Sequence, residues 1–488
     1  MYYAWKPSSR LRPVCASPPK IVSTPTVEPP RQRTETPRTL KPLKRRPVPE
    51  GATLYQPLAS DKDQIRVVWP HHVRNQYTWD DNAGDDGEDS EMIDWEKSIA
   101  CTLKTFDMDD PRLSYTAISY AWVCLRHSSQ CKVTAEHESQ GSPETRTIYL
   151  NDHKVAVRRN LYDFLSVCRP QGYLWIDSIC IDQDNSLERN HQVGMMGKIY
   201  AGASQTILWL GLDPHDGLAF KTLYEVQRRD QRYADRSHLP LSGADHAASI
   251  FDDNRRVALH RLLNEPYWQR HWILQEILLS KHRKLAYGTE TMPWWEFSDA
   301  ALAIMENAFS QIPFRIMQCV LNLHNNSEQW QTWYWCITYA EDTLCLDARD
   351  KVYGMQNMFD PQIRIEVDYS APVQEVFIHA ICAYAIGLRG INEWLFPKCC
   401  NSLALGMGLA LKAGFDKAFG EWYLRRQDVE HDNSVRALRG ILQTYLVCSD
   451  SSGTQQERGI STGNSLSHMS ATSVCETRGT SYIRPEMT

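Results

Sequence analysis

The sequence predicts an α/β protein: a mostly parallel sheet flanked by helices, then a mainly helical region, with disordered termini. Three observations carry this. Thr116–Trp122, Tyr173–Asp177 and Thr206–Leu210 are short apolar runs with the length and content of buried strands. Helical stretches alternate with them, the order that builds βαβ units. Beyond about Trp295 the strand signal stops and helical patterning takes over.

The ends read differently. Residues 1–50 hold 11 Lys/Arg against 3 Asp/Glu, together with 11 of the 25 prolines. Such a segment cannot bury enough apolar surface to offset its ordering entropy. An acidic stretch, Asp80 to Glu96, follows with nine carboxylates and no Lys or Arg, and reads as a solvated linker. The last 40 residues, from Ser449, hold 15 Ser/Thr and few large apolar groups. A chain of 488 residues exceeds one compact core. The expected organisation is therefore a disordered basic arm and acidic linker over 1–97, an α/β domain over 98–295, a helical region over 296–448 and a disordered tail over 449–488.

Within the folded part, Thr147–Leu150 and Lys154–Val157 flank Asn151-Asp152-His153 and predict a hairpin. Asn160 is placed to cap a helix through Cys168, with Leu161, Phe164 and Leu165 on one face. Ser186 is placed to cap a long helix carrying Val193, Met196, Ile199 and Tyr200 on one stripe. Farther on, helices are expected over 298–309, 313–323, 349–358 and 372–386.

Composition narrows the function. Residues 1–50 carry +8 and the rest sums to −14, for a total of −6, which gives little support to nucleic acid as a partner for the body of the protein. Fourteen scattered cysteines with no CxxC pair read as reduced thiols. The N-terminus has no apolar leader core, and no run approaches 18 apolar residues, so no membrane association is expected. The expectation is a soluble cytoplasmic protein, with nuclear import through Lys44, Arg45 and Arg46 as the alternative to a plain solvated tail. GxGxxG after a strand, a Walker loop and HExxH are all missing. Cys124, His127, Cys131 and His137 have ligand chemistry but not the spacing of a structural zinc site, so no metal is assigned.

Four segments together resemble the fungal heterokaryon-incompatibility (HET) domain: Tyr115–Trp122, Leu174–Gln183, the run from Glu188 through Trp209-Leu210-Gly211, and Tyr267–Glu276. Asp347–Gly354 and Asp368–Ser370 resemble segments that commonly follow it. The likeness spans roughly 98–375, with Val123 where the family usually has Gly. It implies a fold distantly similar to the TIR domain and a role in programmed cell death signalling. Some TIR domains cleave the nicotinamide–ribose bond of NAD+ with a glutamate in a Trp-Cys-x-x-Glu segment. Trp272-Ile-Leu-Gln-Glu276 keeps the Trp and Glu at that spacing, with Ile273 in place of Cys. The resemblance thus implies NAD as a substrate, no required cofactor, and partners that are a second copy or another signalling protein.

Glu276 is the expected catalytic residue, since a carboxylate stabilises the oxocarbenium character built when an N-glycosidic bond breaks. Its structural alternative is a helix-surface Glu beside a core Trp. Trp272, one turn earlier, could wall the same site. Asp177 ends a strand, where open α/β sheets bind ligands, or else it caps the following loop. Ser119 and Trp122, on the first strand and at its end, are the remaining candidate ligand contacts, each with a packing alternative. Cys180 lacks a neighbouring base and reads as a buried structural thiol. A catalytic signalling enzyme and a non-catalytic self-association module both remain open.

Overall fold

The computed structural model describes residues 53–59, 61–71, 99–122, 145–234, 252–307, 329–341, 343–387, 395–426 and 431–448. The basic arm, the acidic stretch, the Cys124–His137 cluster, the helix expected over 313–323 and the Ser/Thr-rich tail lie outside them.

The strands are β1 (Gln64–His71), β2 (Ala100–Asp107), β3 (Tyr115–Tyr120), β4 (Thr145–Leu150), β5 (His153–Arg158), β6 (Tyr173–Trp175), β7 (Gln205–Gly211), β8 (Arg283–Tyr287) and β9 (Glu290–Pro293). They form one nine-stranded sheet in the order β5-β4-β2-β1-β6-β3-β7-β8-β9. The helices that follow β5 are, among the described residues, α1 (Arg159–Cys168), α2 (Asp177–Cys180), α3 (Ser186–Gly202), α4 (Leu218–Ala234) and α5 (Asp253–Leu263). After a 3₁₀ turn at Pro266–Gln269 come α6 (Ile273–Leu278) and α7 (Trp294–Asn307). The helical region adds α8 (Gln329–Ala340), α9 (Asp350–Gln356), α10 (Val373–Gly387), α11 (Leu395–Gly406), α12 (Phe415–Arg425) and α13 (His431–Tyr445). A small pair, β10 (Leu409–Leu411) with β11 (Leu446–Cys448), closes it.

The α/β class and the helical C-terminal region stand as expected, but the sheet is mixed. β6-β3-β7-β8 is parallel throughout, as is β2 with β4. β1 runs antiparallel to both neighbours, and β4-β5 and β8-β9 are antiparallel hairpins. The hairpins return in two residues, which only antiparallel pairing permits. At the first, Asn151 and Asp152 take φ of 48° and 67°, the left-handed values a two-residue turn demands. His153 already pairs with Leu150, so the loop is one residue shorter than expected.

β1 lies inside the stretch 1–97 expected to be disordered. Composition averaged over that stretch hid the short apolar pattern Ile65, Val67, Val68 and Trp69, and Ile65, Val67 and Val68 are fully buried. The strand is fastened by a charge pair: Arg66 reaches both oxygens of Glu188 on α3, at 2.5 and 2.9 Å, with both side chains buried. Glu188 also accepts the Asp182 amide at 2.8 Å, which holds the loop between α2 and α3.

Two expected caps are placed differently. α3 is capped by Asn185, whose side chain accepts the Glu188 amide, and Ser186 is its first helical residue. α1 starts at Arg159 without a side-chain cap. Asn160 instead donates to the Ala121 carbonyl at 2.8 Å and accepts the Trp209 indole N–H at 2.8 Å, tying the end of β3 to β7. Trp175 and Trp209 are fully buried and meet Tyr200 and Phe164 edge-on, at 5.5 and 5.6 Å. Among the described residues, no helix is long and apolar enough to cross a membrane.

Candidate functional site

Parallel strands end together, so the loops leaving β3 and β6 sit side by side at the carboxyl edge of the sheet, the usual ligand position in open α/β folds. A cavity of about 290 Å³ opens there. Ala121, Trp122 and Asp177 contribute from the strand ends, and Arg189, Val193 and Met196 from α3. Arg270 and Trp272 come from the segment before α6. The opposite wall belongs to the helical region: Leu344 to Asp347, Asp350 and Tyr369.

Trp122 and Asp177 form a pair. The indole N–H points at both carboxylate oxygens, at 3.0 and 2.9 Å, and the Ser178 amide donates to Oδ1 at 2.7 Å. Asp177 therefore serves the loop and the cavity at once, and the two readings of it are not exclusive. Burial raises its pKa to about 7; Arg270 pulls it down and Glu276 pushes it up. Near neutrality the group can exchange a proton.

Trp272 and Asp350 repeat the arrangement on the other wall. The Trp272 indole N–H donates to Oδ2 of Asp350 at 3.2 Å, and the Tyr369 hydroxyl donates to Oδ1 at 2.5 Å. Burial raises the Asp350 carboxyl to about 6, against these two hydrogen bonds.

Ser119 and Glu276 are brought together, but beneath the cavity rather than on its wall. Glu276 is fully buried on α6, and Ser119 is 1 % exposed. The Ser119 hydroxyl bonds to Oε2 of Glu276 and lies 2.6 Å from the Tyr267 hydroxyl. Arg270 takes both Glu276 oxygens at 2.9 Å. It keeps a side-chain exposure of 12 % and lines the cavity itself. Burial lowers the Arg270 pKa, but the Glu276 carboxylate outweighs it and raises the guanidinium above its ordinary value. Of the five expected site residues, Trp122, Asp177 and Trp272 thus face the cavity, while Glu276 and Ser119 stand behind Arg270.

Arg270, Arg189, Asp350 and Tyr369 were not singled out from the sequence. A signal existed for all four, since each lies inside a family-like segment: Arg270 in Tyr267–Glu276, Arg189 in the run that opens at Glu188, Asp350 in Asp347–Gly354 and Tyr369 in Asp368–Ser370. Cys180 is the closed thiol expected, fully buried with its pKa pushed up to about 12 by burial. Cys345 lines the cavity, but burial raises its thiol to about 12 as well, so it is not a nucleophile at neutral pH. Among the described residues, no group of three or more His, Cys, Asp or Glu could hold a metal ion.

A family model described as heterokaryon incompatibility protein (HET) matches residues 115–276. Heterokaryon incompatibility protein 6, OR allele, of Neurospora crassa is 31 % identical over 125 residues. That match takes in 23 % of this chain and only 16 % of the relative's length. No solved structure matches.

Proposed function

We propose that this chain, whose residues 115–276 match the HET family model, acts in heterokaryon incompatibility as a cell-death effector that hydrolyses the nicotinamide–ribose bond of NAD+ at the cavity. The supporting observation is the Trp122–Asp177 pair, a ligand-facing carboxylate of near-neutral pKa beside an aromatic wall.

In this proposal the ribose C1′–N bond breaks with its electron pair leaving on the nicotinamide nitrogen, and the ionised Asp177 stabilises the oxocarbenium character left on the ribose. Water adds to C1′, and its proton passes to Asp177 and then to solvent, giving ADP-ribose and nicotinamide. Trp122 fixes the carboxylate and offers a face for the flat nicotinamide ring. Glu276 is then a positioning residue, holding the Arg270 guanidinium in place at the cavity wall. About 290 Å³ is at the small end of ligand pockets, which suits one nucleotide half of NAD+ with the adenosine half outside. The expected surroundings are the cytoplasm and self-association or a second signalling protein.

Purified full-length chain is assayed for nicotinamide release across concentrations that allow self-association. Wild type should release it, Asp177→Asn should lose at least roughly a hundredfold, and thermal unfolding should show the variant at least as stable as wild type. If wild type and Asp177→Asn are equally inert while overexpression of either still kills fungal cells, the protein signals by association alone.

A further inference from the structure

Asp350 and Tyr369 fall outside the family-matched residues 115–276, yet they build one wall of the cavity. Tyr369 joins two groups of opposite charge there. Its hydroxyl is bound to Asp350, and the Arg189 guanidinium lies over its ring, 4.4 Å from the centroid. Asp350 is only 8 % exposed and is clamped on both oxygens, so it cannot swing to meet a reacting atom. A carboxylate offers about four acceptor positions. With one taken on each oxygen, a fixed pair of acceptors remains for two adjacent hydroxyls. Arg189 presents the complementary deficit: its Nε is buried without a hydrogen-bond partner among the described residues. An unpaired buried guanidinium donor is costly unless an acceptor arrives, and the planar fork of Arg matches a phosphate.

We infer that the Asp350–Tyr369–Arg189 wall recognises a ribose 5-phosphate unit, Asp350 accepting the 2′,3′-diol and Arg189 the phosphate. Carboxylate acceptance of a ribose 2′-hydroxyl is general in dinucleotide sites. The identity of the attached base rests on the hydrolytic proposal above, but the sugar-phosphate chemistry does not. The helical region would thus supply specificity to a reaction centre built by the sheet.

The test is calorimetric titration of the full chain with nicotinamide mononucleotide, its 2′-deoxy analogue and nicotinamide riboside. Wild type should bind the mononucleotide roughly tenfold or more tightly than either of the others, the worth of one charged hydrogen bond. Asp350→Asn should lose the preference for the 2′-hydroxyl while keeping that for phosphate. Arg189→Met should show the reverse, and Arg189→Lys should recover part of the phosphate preference. Thermal unfolding of each variant checks the fold, and the wild-type comparison of the two sugars holds even if Asp350→Asn does not fold. Binding with the expected discrimination but no nicotinamide release from NAD+ would support this wall and defeat hydrolysis. Release from NAD+ with discrimination unchanged in both variants, or no binding of the mononucleotide at millimolar concentration, overturns the inference.

Discussion

The indole N–H of Trp122 is shared between the two oxygens of Asp177, at 3.0 and 2.9 Å, so the end of β3 holds the carboxylate that begins α2. A group fixed in this way, with its pKa raised to about 7 mainly by burial, is an expensive thing to fold around. That cost should be visible as pH dependence.

The folded protein holds the Asp177 proton more tightly than the unfolded chain, where the ordinary value is 3.8. The penalty is therefore absent below about pH 4, grows as pH rises, and is complete above about pH 7. Asp177→Asn removes it, so the variant should gain stability on wild type between pH 4 and 7 and then hold the gain. Urea midpoints of both proteins at pH 5 and pH 8 measure this, and comparing the pair cancels the other titrating groups. A stability gap that does not change with pH would contradict the buried-carboxyl assignment.

Glu276→Gln should be felt first as instability. It leaves the Arg270 guanidinium largely buried and charged without its bidentate partner, a loss of about 3–5 kcal/mol. The double variant Arg270→Met/Glu276→Leu should recover much of this, because no unpaired charge remains. Denaturant titration of wild type, Arg270→Met, Glu276→Leu and the double variant gives the coupling. Single-variant effects that simply add in the double variant would show that the pair is not coupled.

Asn160→Ala cuts a strut between β3 and β7. The Ala121 carbonyl loses its donor, while the Trp209 indole N–H retains the Asn160 backbone carbonyl at 3.1 Å. The expected loss is about 1–2 kcal/mol, near that of one buried hydrogen bond rather than two. A loss well above this, read from the unfolding midpoint, would mean that the backbone contact does not survive.

Gly354→Ala pits two effects against each other. Ala is favoured over Gly inside a helix by about 1 kcal/mol. A Cβ at Gly354, however, would sit 2.8 Å from Cδ2 of His271 and 3.4 Å from Cδ2 of Trp272. His271 cannot yield easily, since its ring nitrogens are bound to Thr343 at 2.8 Å and to the Lys351 carbonyl at 3.1 Å. Overpacking of about 1–3 kcal/mol should win, giving net destabilisation and a shift of Trp272. A lower Tm together with altered tryptophan fluorescence reports both, and a raised Tm would rule out the clash.

Read alone, the chain determined its elements. The buried runs of β3, β6 and β7, the turn at Asn151-Asp152, the helical region after β9 and the ordered motifs of the HET family are local patterns, and local patterns survive without a partner. It also pointed to Trp122, Asp177 and Trp272, which line the cavity, because they stand at strand and motif ends. What only tertiary structure decided was which charges meet. β1 was hidden because one short strand vanished into the average of a polar arm, and the sheet is mixed because antiparallel hairpins flank its parallel centre. Glu276 looked like the ligand-facing carboxylate until folding set Arg270, six residues earlier, against both of its oxygens. Asp350 faces the cavity because the helical region sets it, with Tyr369, against Trp272. Burial and charge pairing act through space, whether the partners are six residues apart, as Arg270 and Glu276 are, or 78, as Trp272 and Asp350 are, so sequence spacing does not encode them.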